Sequence, residues 1–150
     1  MRIVSYILVP LSILCAQAQQ REWSYALDAP GSAPTLYPNE SNPSGIAFTS
    51  GKNVILLDGH GAPVWEIEMK DHLAGPATIA DIDADGKPER TVITIDGTLH
   101  CLDATGRQLW ELAFDTPSGG FKHIVAADLL DSPGLELLIG FDDGWLNCVS

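Results

Sequence analysis

A set of residues recurs in this chain at a spacing of about 45 positions, and this repetition restricts the fold more than any other feature. The first set consists of pairs 45 positions apart, namely Asp58 with Asp103, Gly61 with Gly106 and Trp65 with Trp110. A second set is spaced by 47 positions and includes Asp81 with Asp128, Glu89 with Glu136, Gly97 with Gly144 and Cys101 with Cys148. A weaker copy begins at Trp23, so we place three copies at residues 23–64, 65–109 and 110–150.

Each copy has the pattern of four short strands separated by turns. In the middle copy we predict strands near residues 76–80, 90–95, 98–103 and 108–113, with Asp96-Gly97 as a hairpin turn. Four strands per repeat of this length are typical of a β-propeller blade. The prediction is therefore an all-β fold of four-stranded antiparallel blades, with about three blades present and almost no helix.

The third copy stops at Ser150, one strand short of a complete blade. Propellers usually have four to eight blades. We therefore expect this chain to be the N-terminal part of a longer protein, with an incomplete propeller.

The middle copy contains an acidic loop that reads D-x-D-x-D-G-x-x-E from Asp81 to Glu89. Carboxylates at positions one, three, five and nine, with a main-chain carbonyl at seven, suit a hard cation such as Ca²⁺. A glycine at position six allows the sharp turn that such a loop needs. The flanking residues indicate strands rather than the helices of an EF-hand. The alternative is a solvated acidic turn, because Asp-Gly is common in turns.

The equivalent loops differ from this pattern. The first copy has Asn39–Pro43, which retains few oxygen side chains, and the third has Leu130 and Ser132 at positions three and five. We predict that the ion is held in the middle loop alone.

Residues 1–18 have the features of a cleaved secretory signal, with Arg2, an apolar run and Ala16-Gln17-Ala18 as the cleavage site. We therefore predict an extracytoplasmic location, either periplasmic or extracellular, and no membrane span in the mature segment. The formal net charge of −12 argues against a nucleic-acid partner. It is compatible with cation binding.

Two cysteines, Cys101 and Cys148, follow the signal, and we predict that both are small buried thiols. Common catalytic motifs are missing from the sequence, and the histidines occupy unrelated blade positions. The sequence thus indicates no catalytic residues and no organic cofactor site.

The segment from Ala80 to Glu89, followed by an apolar strand and D-G-T-L-H-C-L-D-A-T-G-R-Q-L-W, resembles the FG-GAP/VCBS repeats of integrin-like calcium-binding propellers. The L-D-A-T-G-R-x-L-W part is also similar to the PQQ-like repeat of quinoproteins. The first resemblance implies that Ca²⁺ is bound by the side chains of Asp81, Asp83, Asp85 and Glu89 and by the carbonyl of Lys87. It implies no particular activity.

Two hypotheses on function follow. The first is a secreted, calcium-stabilised propeller that binds a protein or carbohydrate without catalysis. The alternative is that these are the N-terminal blades of a propeller enzyme, either a PQQ-dependent dehydrogenase or a polysaccharide-active enzyme.

Overall fold

The protein is described here by a computed structural model, which covers residues 22–36, 45–115 and 120–150. The signal sequence and the Asn39–Pro43 loop lie outside these residues. Eleven strands are present, in the order β1 (Thr35–Leu36), β2 (Ile46–Ser50), β3 (Asn53–Leu57), β4 (Pro63–Glu68), β5 (Thr78–Ala80), β6 (Glu89–Ile93), β7 (Thr98–Leu102), β8 (Gln108–Ala113), β9 (Phe121–Ala127), β10 (Glu136–Phe141) and β11 (Leu146–Val149).

The strands form three separate antiparallel sheets in chain order. The first sheet is β1-β2-β3-β4, the second is β5-β6-β7-β8, and the third is β9-β10-β11. No helix occurs in the described ranges. Among these residues there is also no helix of the length and apolarity needed to cross a membrane. The predicted all-β fold, with four-stranded antiparallel blades, is confirmed.

The tryptophan strand is the fourth and last strand of each complete sheet. Trp65 pairs with Leu56 and Trp110 pairs with Cys101, and the ladder has an irregularity directly after Leu56 and after Cys101. The repeat limits given above begin each copy at a tryptophan, whereas each sheet ends with the tryptophan strand. The copies placed from the sequence and the sheets of the structure therefore have the same period but start at different points in it.

Local sequence explains the hairpins of the middle sheet. The Gly97 N–H donates to the Thr94 carbonyl at 2.9 Å, and Gly97 has a φ of 84°, which a glycine adopts without strain. The carboxylate of Asp96 accepts hydrogen bonds from the Thr94 hydroxyl and the Thr98 N–H. This is the predicted Asp-Gly turn between β6 and β7.

Apolar side chains pack between neighbouring sheets and form two clusters. Val54 and Leu56 of the first sheet meet Val92 and Leu102 of the second, with Trp65 at the margin. The second cluster joins the middle and third sheets. Its buried residues are Ile93, Leu99, Ile124, Leu137, Ile139 and Phe141. The Trp65 indole also donates to the Ala104 carbonyl at 3.0 Å. Trp65 therefore connects one blade to the next.

Threonine hydroxyls make a second kind of connection between sheets. Thr35 of β1 donates to the Ala77 carbonyl at 2.6 Å, and Thr78 of β5 donates to the Ile124 carbonyl at 3.0 Å. The innermost strands β1, β5 and β9 consequently contact one another in series.

The two cysteines differ in environment, and neither forms a disulfide. Cys101 is buried, as predicted, and burial raises the pKa of its thiol to about 12. The prediction of a buried thiol is wrong for Cys148, which is exposed. Cys148 lies on β11, the outer strand of a sheet that has three strands in the described residues, so no fourth strand covers it.

Candidate metal site

The acidic loop connects β5 to β6 and is closed by its own carboxylates. Asp81 Oδ2 accepts from the Gly86 N–H at 3.0 Å, and Asp83 Oδ1 accepts from the Asp85 N–H at 3.1 Å. Gly86 has a φ of 83°, and Ala84 also has a positive φ, at 60°. The loop is thus held in a tight curl in which aspartate oxygens bind main-chain amides.

Glu89 begins β6 and lies beneath this curl. It is 4% exposed, and its Oε2 accepts from the Ile82 N–H at 2.8 Å. Burial raises the pKa of this carboxyl, and the charges of Asp83, Asp85 and Asp81 raise it further. The repulsion among these carboxylates would be relieved by a bound cation.

Three of the predicted ligands come together at one point. One oxygen each from Asp81, Asp83 and Glu89 lie within 4.8 Å of one another. Oxygens bound to a single Ca²⁺ at 2.3–2.6 Å are separated by at most about 5 Å, so this spacing fits the ion. Asp81 Oδ1 is buried and has no hydrogen-bond partner, which is unfavourable unless a donor or cation is supplied. The residues present therefore fit a hard divalent cation.

The two other predicted ligands, the Asp85 side chain and the Lys87 carbonyl, are not among these three carboxylates. The Asp85 side chain accepts from the Lys87 N–H at 2.7 Å and forms an ion pair with Lys87 Nζ at 3.1 Å. Both side chains are largely exposed, and Asp85 is outside the group of three converging carboxylates. Ligation by Asp85 and by the Lys87 carbonyl stays a prediction.

The third-copy loop satisfies its glutamate through hydrogen bonds from within the loop. Glu136 occupies the position of Glu89 and accepts hydrogen bonds from Leu129 N–H, Leu130 N–H and the Ser132 hydroxyl, the last at 2.6 Å. The Ser132 bond is the main cause of a lowered pKa for Glu136, opposite in direction to the shift at Glu89. The Ser132 hydroxyl thus gives the Glu136 carboxylate a hydrogen-bond donor within its own loop.

The two loops also touch, which the sequence did not indicate. The Ile82 carbonyl accepts from the Leu135 N–H at 3.0 Å. Gly134, with a φ of 93°, lies so close that an added Cβ would overlap the Ile82 oxygen. Because Ile82 N–H is held by Glu89, the candidate site is joined to the third sheet through the main chain of Ile82.

A depression of about 310 Å³ borders the acidic loop. Its other side is the turn between β7 and β8, with Asp103, Thr105 and Arg107. The Thr105 hydroxyl, with amides of the turn and the Arg107 side chain, lowers the pKa of Asp103 to about 2. The repeated D-x-x-G pattern at Asp58 and Asp103 was a usable signal for these turns, but their proximity to the acidic loop was not predicted.

Comparison with known proteins gives one family. A family model described as a lambda-carrageenase β-propeller domain matches residues 47–128, which is more than half of the chain. No relative was found among curated proteins. The matched region includes most of β2, all of β3 to β9 and the acidic loop, and the match agrees with the blade architecture of the structure. The chain belongs to the family of lambda-carrageenase β-propeller domains.

Proposed function

We propose that this chain is an extracytoplasmic β-propeller module that binds Ca²⁺ in the Asp81–Glu89 loop and binds a carbohydrate or protein ligand without catalysing a reaction. The observation that carries the metal assignment is the buried Asp81 Oδ1, which has no hydrogen-bond partner and belongs to a group of three converging carboxylates. The likeness of the loop to FG-GAP/VCBS repeats supports the choice of calcium.

The ion would act on structure rather than on a substrate. Asp81, Asp83 and Glu89 each use one oxygen to accept a hydrogen bond from a loop amide. One oxygen of each also belongs to the converging group, and Asp81 Oδ1 has no hydrogen-bond partner. Ca²⁺ accepts six to eight oxygen ligands in flexible geometry, whereas Mg²⁺ requires a near-ideal octahedron. An open loop with exposed Asp83 and Asp85 therefore favours Ca²⁺ and leaves positions for water.

Calcium titration by calorimetry tests the metal assignment. We expect one site with a Kd of about 10⁻⁴–10⁻³ M, as in extracellular modules. Asp83→Asn should weaken binding at least about tenfold, because it removes one of the ligand charges that set affinity. Asp128→Asn, the equivalent of an Asp81 change in the loop that Ser132 completes, is the matched control and should bind normally. Equal affinity in Asp83→Asn and the unmodified chain would exclude this loop as the site.

The family match supports a second candidate, a propeller domain of a polysaccharide-active enzyme. The match favours a polysaccharide-active enzyme over a PQQ-dependent dehydrogenase, because the matching family is described by a carrageenase. Lambda-carrageenan is the first polymer to test. Retention on the immobilised polymer without new reducing ends supports the binding module. Release of new reducing ends, abolished by heat denaturation, supports the enzyme instead.

A further inference from the structure

Ile82 lies between two of the three converging carboxylates, and both of its main-chain polar groups are hydrogen-bonded. Its N–H donates to Glu89 Oε2 at 2.8 Å, within the acidic loop. Its carbonyl accepts from the Leu135 N–H at 3.0 Å, and Leu135 belongs to the third-copy loop. The main chain between Asp81 and Asp83 is therefore held from two directions, once by a candidate ligand and once by the neighbouring repeat.

These two hydrogen bonds restrict the relative placement of Asp81 and Asp83. The N–H of Ile82 belongs to the peptide plane that begins at Asp81, and its carbonyl belongs to the plane that ends at Asp83. Because peptide planes are rigid, holding both of them leaves little freedom in the two dihedral angles of Ile82. Those angles determine how the two aspartates are oriented toward each other. The Leu135 hydrogen bond thus acts on the geometry of the candidate ligands, although Leu135 has no side-chain oxygen.

Gly134 brings the third-copy loop close enough to make this contact. A Cβ at this position would overlap the Ile82 oxygen, and it would lie 3.0 Å from the Ile82 carbonyl carbon and 3.5 Å from Asp83 Cα. These are main-chain atoms, so a side chain could be accommodated only if one of the loops moved. The observed distance between the loops therefore requires glycine at position 134.

The side chain of Ile82 adds to the same contact. It packs against the apolar cluster that joins the middle and third sheets and that includes Ile124 and Leu137 of the third sheet. Ile82 is thus attached to the third sheet by apolar packing as well as by its carbonyl. Moving the loops apart would weaken both interactions at once.

The sequence permits this contact on one side of the middle repeat and not on the other. At the offset of 47 positions between the two loops, Leu135 corresponds to Pro88, which has no N–H to donate. Gly134 corresponds to Lys87, which carries a Cβ. The middle loop therefore cannot offer the loop before it the hydrogen bond that it receives from the loop after it.

We propose that Gly134 and Leu135 are positioning residues for the ion site of the middle loop, so that Ca²⁺ affinity depends on the third repeat. The inference rests on the proposed function, because it requires that the Asp81–Glu89 loop binds the ion. A pre-arranged set of ligands binds more tightly, since less freedom is lost on binding. Such coupling is reciprocal, so the ion strengthens the contact between the loops by the same factor by which the contact strengthens ion binding.

Calcium titration of Gly134→Ala by calorimetry tests one direction of this coupling. We expect the Kd to rise at least about fivefold, the lower end of typical couplings between sites. Gly144→Ala is the matched control, because Gly144 also has a positive φ, at 90°, but an added Cβ there would have no atom within 4 Å. Its Kd should stay within about twofold of that of the chain without substitutions. Circular dichroism at the titration temperature establishes that each variant is folded, so that a general loss of stability does not produce the difference.

Hydrogen exchange of the chain without substitutions, followed by NMR, tests the other direction and does not depend on a variant folding. Saturating calcium should slow exchange of the Leu135 amide at least about fivefold relative to EDTA. The Gly144 amide donates to the Phe141 carbonyl at 3.2 Å in a hairpin of the same sheet. It is the internal control for general stabilisation and should be slowed less than the Leu135 amide.

The outcomes separate this inference from the proposed function. A chain without substitutions that binds no calcium overturns both. Calcium binding with equal affinity in Gly134→Ala and Gly144→Ala, or with equal slowing of the Leu135 and Gly144 amides, overturns the inference and leaves the metal site in place. If Gly134→Ala is unfolded, the exchange measurement alone decides.

Discussion

Removing calcium with a chelator is expected to lower the melting temperature of this protein by about 5–15 °C. An ion bound only by the folded state stabilises it by about 2.7 kcal/mol when its concentration is about one hundred times the Kd. For a Kd of about 10⁻⁴ M this corresponds to calcium at about 10 mM. Thermal unfolding followed by circular dichroism, with 10 mM (about one hundred Kd) calcium or with EDTA, measures the difference.

From the arrangement of the acidic loop we predict how substitutions change the difference in melting temperature between calcium and EDTA. Asp83→Asn should abolish at least about half of the chelator effect, because it removes a ligand charge while preserving the shape of the side chain. Asp128→Asn should retain the full effect, since the third loop has the Ser132 hydroxyl where the middle loop has Asp85. A chelator effect that is absent in the unmodified chain, or unchanged in Asp83→Asn, contradicts a stabilising ion in this loop.

Gly134→Ala is expected to destabilise the folded protein by about 2–5 kcal/mol. The left-handed conformation, with a φ of 93°, is unfavourable for any residue with a Cβ. The new methyl group would also overlap the Ile82 carbonyl oxygen, and main chain cannot rotate away as a flexible side chain could. The two loops would have to separate, with loss of the Leu135–Ile82 hydrogen bond. Urea unfolding monitored by tryptophan fluorescence gives the free energy of unfolding.

Gly144→Ala is the matched control for this prediction. Gly144 has a φ of 90°, but an added Cβ would have no atom within 4 Å. Alanine there should cost only the conformational part, about 1–2 kcal/mol. If both variants lose the same stability, the contact between the loops contributes nothing measurable.

The strands of the middle sheet could be predicted closely from sequence, and the structure shows why. Asp96-Gly97 and Asp103-Ala104-Thr105-Gly106 are turns whose carboxylates bind nearby amides, so their geometry depends on adjacent residues alone. Short-range chemistry of this kind is readable in a single sequence. The prediction for Cys148 failed because burial of that position depends on a fourth strand rather than on its own neighbours.

The candidate site was only partly predictable for the same reason. Carboxylates closely spaced in a tight loop are expected to approach one another, and Asp81, Asp83 and Glu89 do so. Whether Asp85 faces the same point or pairs with Lys87 depends on side-chain rotamers, which the spacing does not determine. The contact of Ile82 with Gly134 joins residues far apart in the chain, and no local pattern reports it.

The hydrogen bonds from Thr35 to the Ala77 carbonyl and from Thr78 to the Ile124 carbonyl have an evolutionary consequence. Each hydroxyl binds a main-chain oxygen, a group that every amino acid carries, so the accepting blade can change its side chain at that position without losing the bond. These hydrogen bonds therefore need no matched substitution in the accepting blade when a repeat is duplicated or exchanged. One repeat can acquire four acidic residues while its neighbour acquires a serine, and these two hydrogen bonds are unaffected.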